Sequence, residues 1–209
     1  MTRIVAGMTA VIALFSACGG PEQATPTERR EEAASALEDA PLREDEAPDG
    51  LEPTDGGTGP IESLREILPP RSQLPNLTPI PVALARAFEG GFEVAYDRAG
   101  GEEGPASAAS TAIRFADGGA ASGFMSYFRE VQVGAGREPE RAEFPVTGVG
   151  DEGFSWHQEE PLAESSTVTW RSGSLVLTVT LSGPTGAATP DRTLSLARRM
   201  DARLPGASS

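Results

Sequence analysis

One cysteine, one histidine and no lysine stand in a chain of 209 residues. A lone thiol excludes an intrachain disulfide and any zinc site built on several cysteines. Without lysine there is no Schiff-base or ammonium chemistry. All 17 basic side chains are arginine and face 31 acids, for a net charge of −14. That balance argues against nucleic acid and against electrostatic docking on anionic lipid, because both need a basic face. Aromatic residues make up only 6%, while 24 glycines and 18 prolines are present. This is thin material for one large core, so part of the chain is expected not to fold.

What is present begins with a short positive start, Met1-Thr2-Arg3, and an apolar run from Ile4 to Phe15 broken only by Gly7 and Thr9. At 12 residues the run falls short of the roughly 20 that span a bilayer. Small residues follow at once, Ser16-Ala17-Cys18-Gly19-Gly20. This pattern predicts a signal peptide over residues 1–17. Phe15-Ser16-Ala17-Cys18 resembles the lipobox of bacterial lipoproteins, departing from it where Phe15 replaces the preferred Leu. The resemblance implies that Cys18 is the lipid attachment residue, with acyl chains such as palmitate holding the protein on the outer face of the cell membrane.

Residues 19 to 60 hold 12 acids and three arginines, with no aromatic, Val or Ile. Leu37, Leu42 and Leu51 are the only large apolar groups there. Such a stretch offers too little apolar surface to offset the entropy of ordering it, so residues 18–60 are expected to form a disordered acidic tether. A flexible chain of this length reaches roughly 35 Å.

Residues 61–209 suffice for a single domain. Ile61, Leu64, Ile67 and Leu68 form a short amphipathic turn stopped by Pro69-Pro70. Val82 to Phe88 is ambiguous but compatible with a helix, and Phe92 to Tyr96 and Ser110 to Phe115 alternate as strands do. Asp117 reads as an N-cap for a helix carrying Ala120, Phe124, Phe128 and Val131 on one face. Glu143 to Val146 and Phe154 to His157 are short strand candidates. Val168 and Trp170 are expected to pair with Leu175 to Leu181 across Arg171-Ser172-Gly173-Ser174, the clearest hairpin in the chain. Thr189 as cap and Pro190 at the first turn begin a last helix with Leu196, Met200 and Leu204 in line. The order lacks regular βαβ alternation, so an α+β fold is expected: an antiparallel sheet with two main helices packed on its apolar face.

Signals for chemistry are weak. Gly148 to Gly153 spells G-x-G-x-x-G, but a strand rather than a helix is expected after it, and Asp151 and Glu152 would repel a phosphate. His157 is the only base a Ser–His hydrolase could use, and no G-x-S-x-G elbow accompanies it. Asp151-Glu152 and Glu159-Glu160 are carboxylate pairs of the kind used in acid–base or Ca²⁺ work, or simply solvated loops. Trp156, Trp170, Phe92, Phe124 and Phe128 line either a pocket or the core. Arg114 and Arg171, near expected strand ends, are candidates to clamp an anion. Asn76-Leu77-Thr78 matches the N-glycosylation triplet, which carries no weight in a bacterial-type lipoprotein. No metal site and no cofactor are expected.

Val149-Gly150-Asp151-Glu152, then Val168 to Leu177 and Leu196 to Leu204, resemble a module of lipoproteins from high-GC, especially actinobacterial, bacteria. In layout the module, about residues 90 to 204, is similar to the extracellular sensor domains of bacterial Ser/Thr kinases and to Mog1/PsbP-like lipoproteins. The resemblance implies an α+β fold and an exported location, and it supplies no catalytic residues. Disulfides found in some of those sensor domains cannot form here. The expected function is a membrane-anchored envelope lipoprotein with a non-catalytic domain that binds or senses an unidentified envelope ligand or protein. The alternative is a structural or accessory part of an envelope complex; a hydrolase using His157 comes third.

Overall fold

The computed structural model describes residues 37–54, 56–68, 79–98, 104–135 and 141–204. Eight strands are present: β1 (Leu51–Pro53), β2 (Gly59–Ile61), β3 (Phe88–Arg98), β4 (Ser107–Phe115), β5 (Arg141–Ala142), β6 (Glu152–Glu159), β7 (Glu164–Ser172) and β8 (Leu175–Gly183). They form one antiparallel sheet in the order β1-β3-β4-β8-β7-β6-β5, with β2 also pairing on β3. Among the described residues three α-helices accompany the sheet, α1 (Val82–Ala87), α2 (Gly118–Ala135) and α3 (Pro190–Ala202). The architecture is α+β, as the sequence predicts.

Alternation along the central strands buries both faces. Leu177, Val179 and Leu181 of β8 join Ala112, Val168 and Trp170 in a core closed by Leu196, Ala197 and Met200 of α3. Val176 and Ile113, one residue out of step, point the other way and join Phe124, Met125 and Phe128 of α2. The two main helices therefore cover opposite faces instead of sharing one. Under α2 the rings of Phe88, Phe115, Phe124, Phe128, Phe154 and Trp156 follow one another at centroid spacings of 5.1 to 6.4 Å. Ring-to-ring packing of this kind adds to the area each aromatic buries.

Local signals hold at most ends. Asp117 caps α2, its Oδ1 accepting the Ala120 N–H at 2.8 Å. The expected hairpin is present, with Trp170 paired with Leu177 and Val168 with Val179. Thr189 occupies the N-cap position of α3 in extended backbone, yet its side chain makes no cap bond; its carbonyl instead accepts the Thr193 hydroxyl at 3.1 Å. The edge strand β5 is Arg141–Ala142, two residues before the expected Glu143 to Val146.

The larger correction concerns the acidic stretch. The expected tether, residues 18–60, ends too late: from Leu37 onward the chain belongs to the folded domain. Leu37, Leu42 and Leu51 are all buried on the α3 face of the sheet. Their burial is combined with hydrogen bonds that satisfy the backbone between them. Arg203, just past α3, donates to the carbonyls of Asp39, Ala40 and Pro41 and pairs with Glu46 at 2.7 Å. The Tyr96 hydroxyl donates to the Leu42 carbonyl at 2.8 Å, and Leu42 N–H donates to Ser110 Oγ at 3.3 Å. Glu44–Glu46 forms a single 3₁₀ turn, and β1 then adds to the sheet edge.

Candidate functional site

His157 lies on β6, facing the α3 side, with its side chain 12% exposed. Its Nε2 stands 3.3 Å from Glu159 Oε1 and 3.8 Å from Glu164 Oε2. Glu164 is itself buried and accepts the Ala188 N–H. Ser166 is the cross-strand neighbour of His157. A histidine between a carboxylate and a serine has the composition of a hydrolytic triad. The geometry denies that role. Ser166 is fully buried, so no substrate reaches its hydroxyl, and neither Ser166 Oγ nor His157 Nδ1 has a hydrogen-bond partner among the described residues.

The glycine-rich loop is a brace. Gly150 N–H donates to Asp201 Oδ2 at 3.0 Å, and Trp170 Nε1 donates to Asp201 Oδ1 at 3.0 Å, so one carboxylate of α3 ties the loop to the core. A Cβ at Gly150 would collide with the Arg171 carbonyl, and φ is +52° there. Only glycine suits that approach. Arg171 pairs with Asp151 at 2.8 Å and Glu152 at 2.6 Å, which engages the candidate carboxylate pair and the candidate clamp with each other. Glu160 accepts from Gln158 at 3.2 Å, while Glu159 is the partner of His157. Among the described residues no three His, Cys, Asp or Glu side chains are grouped to hold a metal ion. Trp170, Phe124 and Phe128 are core, Phe92 and Trp156 are half-buried against it, and the five are divided between the two faces. Cys18 and Asn76 lie outside the described residues.

A cavity of about 620 Å³ opens elsewhere, between α3, the acidic segment and Gly104-Pro105 ahead of β4. Arg98, Arg192 and Arg199 line it with Asp49, Ser195 and Leu196. Arg98 is held from two sides: its Nε donates to the Pro105 carbonyl at 2.9 Å and its Nη2 to the Asp49 carbonyl at 3.1 Å. The guanidinium fits because Gly50 and Gly104 flank it; a Cβ at either would stand 2.7 and 2.9 Å from its nitrogens. Arg192 donates to the Ala187 carbonyl at 2.8 Å and Arg199 to the Glu46 carbonyl at 3.1 Å. Neither expected clamp, Arg114 or Arg171, contributes to this wall. In a chain whose only cations are arginines, nothing local singles out these three; Arg192 and Arg199, seven residues apart on one helix face, were the one available hint.

With that geometry in hand, the fold has a solved counterpart. The structure is similar to the extracellular domain of PknH from Mycobacterium tuberculosis. The TM-score is 0.53 at 11% sequence identity, over 81% of this chain and 95% of that one. At that identity the likeness shows the fold alone, and it agrees with the layout noted in the sequence. No protein-family model matches the chain, and no curated protein matches it in sequence. Among the described residues no helix is long and apolar enough to cross a membrane.

Proposed function

We propose that the chain is an exported lipoprotein, anchored by acyl chains on Cys18, whose folded domain binds or senses a small ligand of the cell envelope without catalysing a reaction. The observation that carries this reading is the cavity beside α3, whose volume falls within the roughly 300–1,000 Å³ of small-molecule sites. The fold shared with an extracellular domain and the lipobox-like Phe15-Ser16-Ala17-Cys18 support the location. Two or more acyl chains hold a protein on a bilayer without any basic patch, which suits a net charge of −14. Val82 and Leu162 are the exposed large apolar side chains among the described residues and lie on separate elements, so a broad protein-docking face is the weaker reading.

Native mass spectrometry of the protein purified from envelope extract tests the proposal. A small molecule should be retained by the wild type and lost when Ser195→Trp fills the cavity. No retained species, or one indifferent to Ser195→Trp, would overturn it. Labelled palmitate should enter the wild type and be absent from Cys18→Ser; equal labelling would remove the anchor.

A further inference from the structure

We infer that the cavity beside α3 is an anion site that takes a small ligand bearing a phosphate or similarly multivalent oxyanion. This deepens the ligand-binding reading and rests on it. In a chain of net charge −14, this one wall brings together, among the described residues, three guanidiniums, Arg98, Arg192 and Arg199, against one carboxylate, Asp49. The described arginines that form ion pairs are Arg43, Arg129, Arg171 and Arg203, each with a carboxylate. No such pair joins a carboxylate to Arg98, Arg192 or Arg199 among the described residues. Glu46, whose carbonyl holds Arg199, gives its carboxylate to Arg203 at 2.7 Å.

What the three do contact is main chain. Carbonyls of Pro105, Asp49, Ala187 and Glu46 accept one hydrogen bond each and orient the guanidiniums without cancelling their charge. Each planar fork keeps further N–H donors, and this donor geometry matches a phosphate or carboxylate in paired, charge-assisted bonds. Close approach of Arg98 to its loops is built in by Gly50 and Gly104, so one cation is fixed while Arg192 and Arg199, exposed on α3, can adjust to a ligand. The Ser195 hydroxyl adds a neutral donor on the same helix.

The test is calorimetric titration of the full chain carrying Cys18→Ser with sodium pyrophosphate at low ionic strength, against sodium chloride of equal strength. Saturable one-to-one binding is expected, weakened about tenfold or more by the pair Arg192→Gln and Arg199→Gln. Arg86→Gln, which removes an exposed cation from α1, should leave it unchanged. Asp49→Asn should tighten binding severalfold, a gain that a misfolded variant cannot give. Absent saturation, or an equal loss in Arg86→Gln, would overturn the anion site. Glycerol 3-phosphate and phosphatidylglycerol vesicles then separate a free anion from a lipid headgroup, and binding of either that depends on Arg192 and Arg199 supports the proposal. If pyrophosphate fails while an uncharged species is lost on Ser195→Trp, the anion site falls and the ligand-binding reading stands; if neither responds, both fall.

Discussion

Helix α2 closes its face of the sheet with a line of aromatic rings, whereas α3 shares the opposite face with a segment of chain that begins at Leu37. The α2 face is apolar against apolar: Phe124 and Phe128 stack at 5.5 Å, and Phe128 reaches Phe154 at 6.3 Å. The α3 face is part aliphatic core and part polar lashing, with arginines and a tyrosine binding the carbonyls of a segment whose described part has only one 3₁₀ turn and short strands of its own. A helix lies flush on a sheet; an irregular segment does not. The cavity opens where that segment, α3 and Gly104-Pro105 meet. A face closed by side-chain packing leaves little room for a ligand, while one closed partly by main chain offers both space and oriented polar groups.

Truncating each face should show the largest effects and should differ between them. Phe124→Ala, at a side chain 1% exposed and in contact with the rings on both sides, should cost about 3–5 kcal/mol. Leu42→Ala is just as buried but should stay near the low end of the Leu→Ala range, about 2 kcal/mol, because the segment around it can settle into the space. Urea denaturation of both variants checks the contrast. A Leu42→Ala cost equal to that of Phe124→Ala would mean the two faces are equally rigid.

Arg203→Ala sharpens the contrast at a smaller cost, about 1–3 kcal/mol, since it removes the bonds to Asp39, Ala40 and Pro41 and leaves Glu46 without its ion pair. The effect should be local. Limited proteolysis should cut the variant between Leu42 and Gly57 while the fragment carrying α2 and the central strands survives. The wild type should keep that stretch intact. Cleavage there at equal rates in both proteins would show that Arg203 is not what holds the segment.

This division also explains what the sequence discloses. The α2 helix and the β7–β8 hairpin are legible because their signals are local: Asp117 before Phe124 and Phe128, and alternating Val168, Trp170, Leu175 and Leu177 around a short turn. The docked acidic segment is not, because Leu37, Leu42 and Leu51 have no period and their partners are remote. Arg203 lies 164 residues from Asp39. Composition speaks only to how much apolar surface the segment itself offers, and is silent on a neighbour that supplies the missing hydrogen bonds. The helices' placement on opposite faces is half visible, in Val176 and Ile113 falling between inward residues of the other face. Arg98's place among the cavity arginines is hidden for the same reason as the segment, since it and Arg199 line one wall only in the folded chain.

Each face also carries one group whose titration is set by burial, and these give the mildest tests. On the α3 face, the Tyr96 phenol is pushed above its ordinary value of 10.0, first by burial and then by Glu44, Glu46 and Asp45. A phenol raised on folding contributes stability that is complete below about pH 10 and lost as pH rises through the folded value, because the unfolded chain ionises first. Tyr96→Phe should therefore cost about 1 kcal/mol at neutral pH, through the lost bond to the Leu42 carbonyl, and should flatten the alkaline fall in Tm.

On the α2 side of the sheet, Glu93 is raised above 4.5, by partial burial first and by the charge of Glu66 second. The sign runs the same way: the folded state prefers the protonated acid, so stability is complete below pH 4.5 and falls as pH rises through the shifted value. At neutral pH the ionised side chain is a small burden, and Glu93→Gln should relieve it by roughly a few tenths of a kcal/mol, discounted because solvent screens much of the group. The gain should vanish below pH 4 and persist at pH 7. Melting curves of Glu93→Gln at the two pH values decide the point. A variant that gains equally at both would show that shape rather than charge sets the change, and one that loses stability at pH 7 would place Glu93 among the groups this face needs ionised.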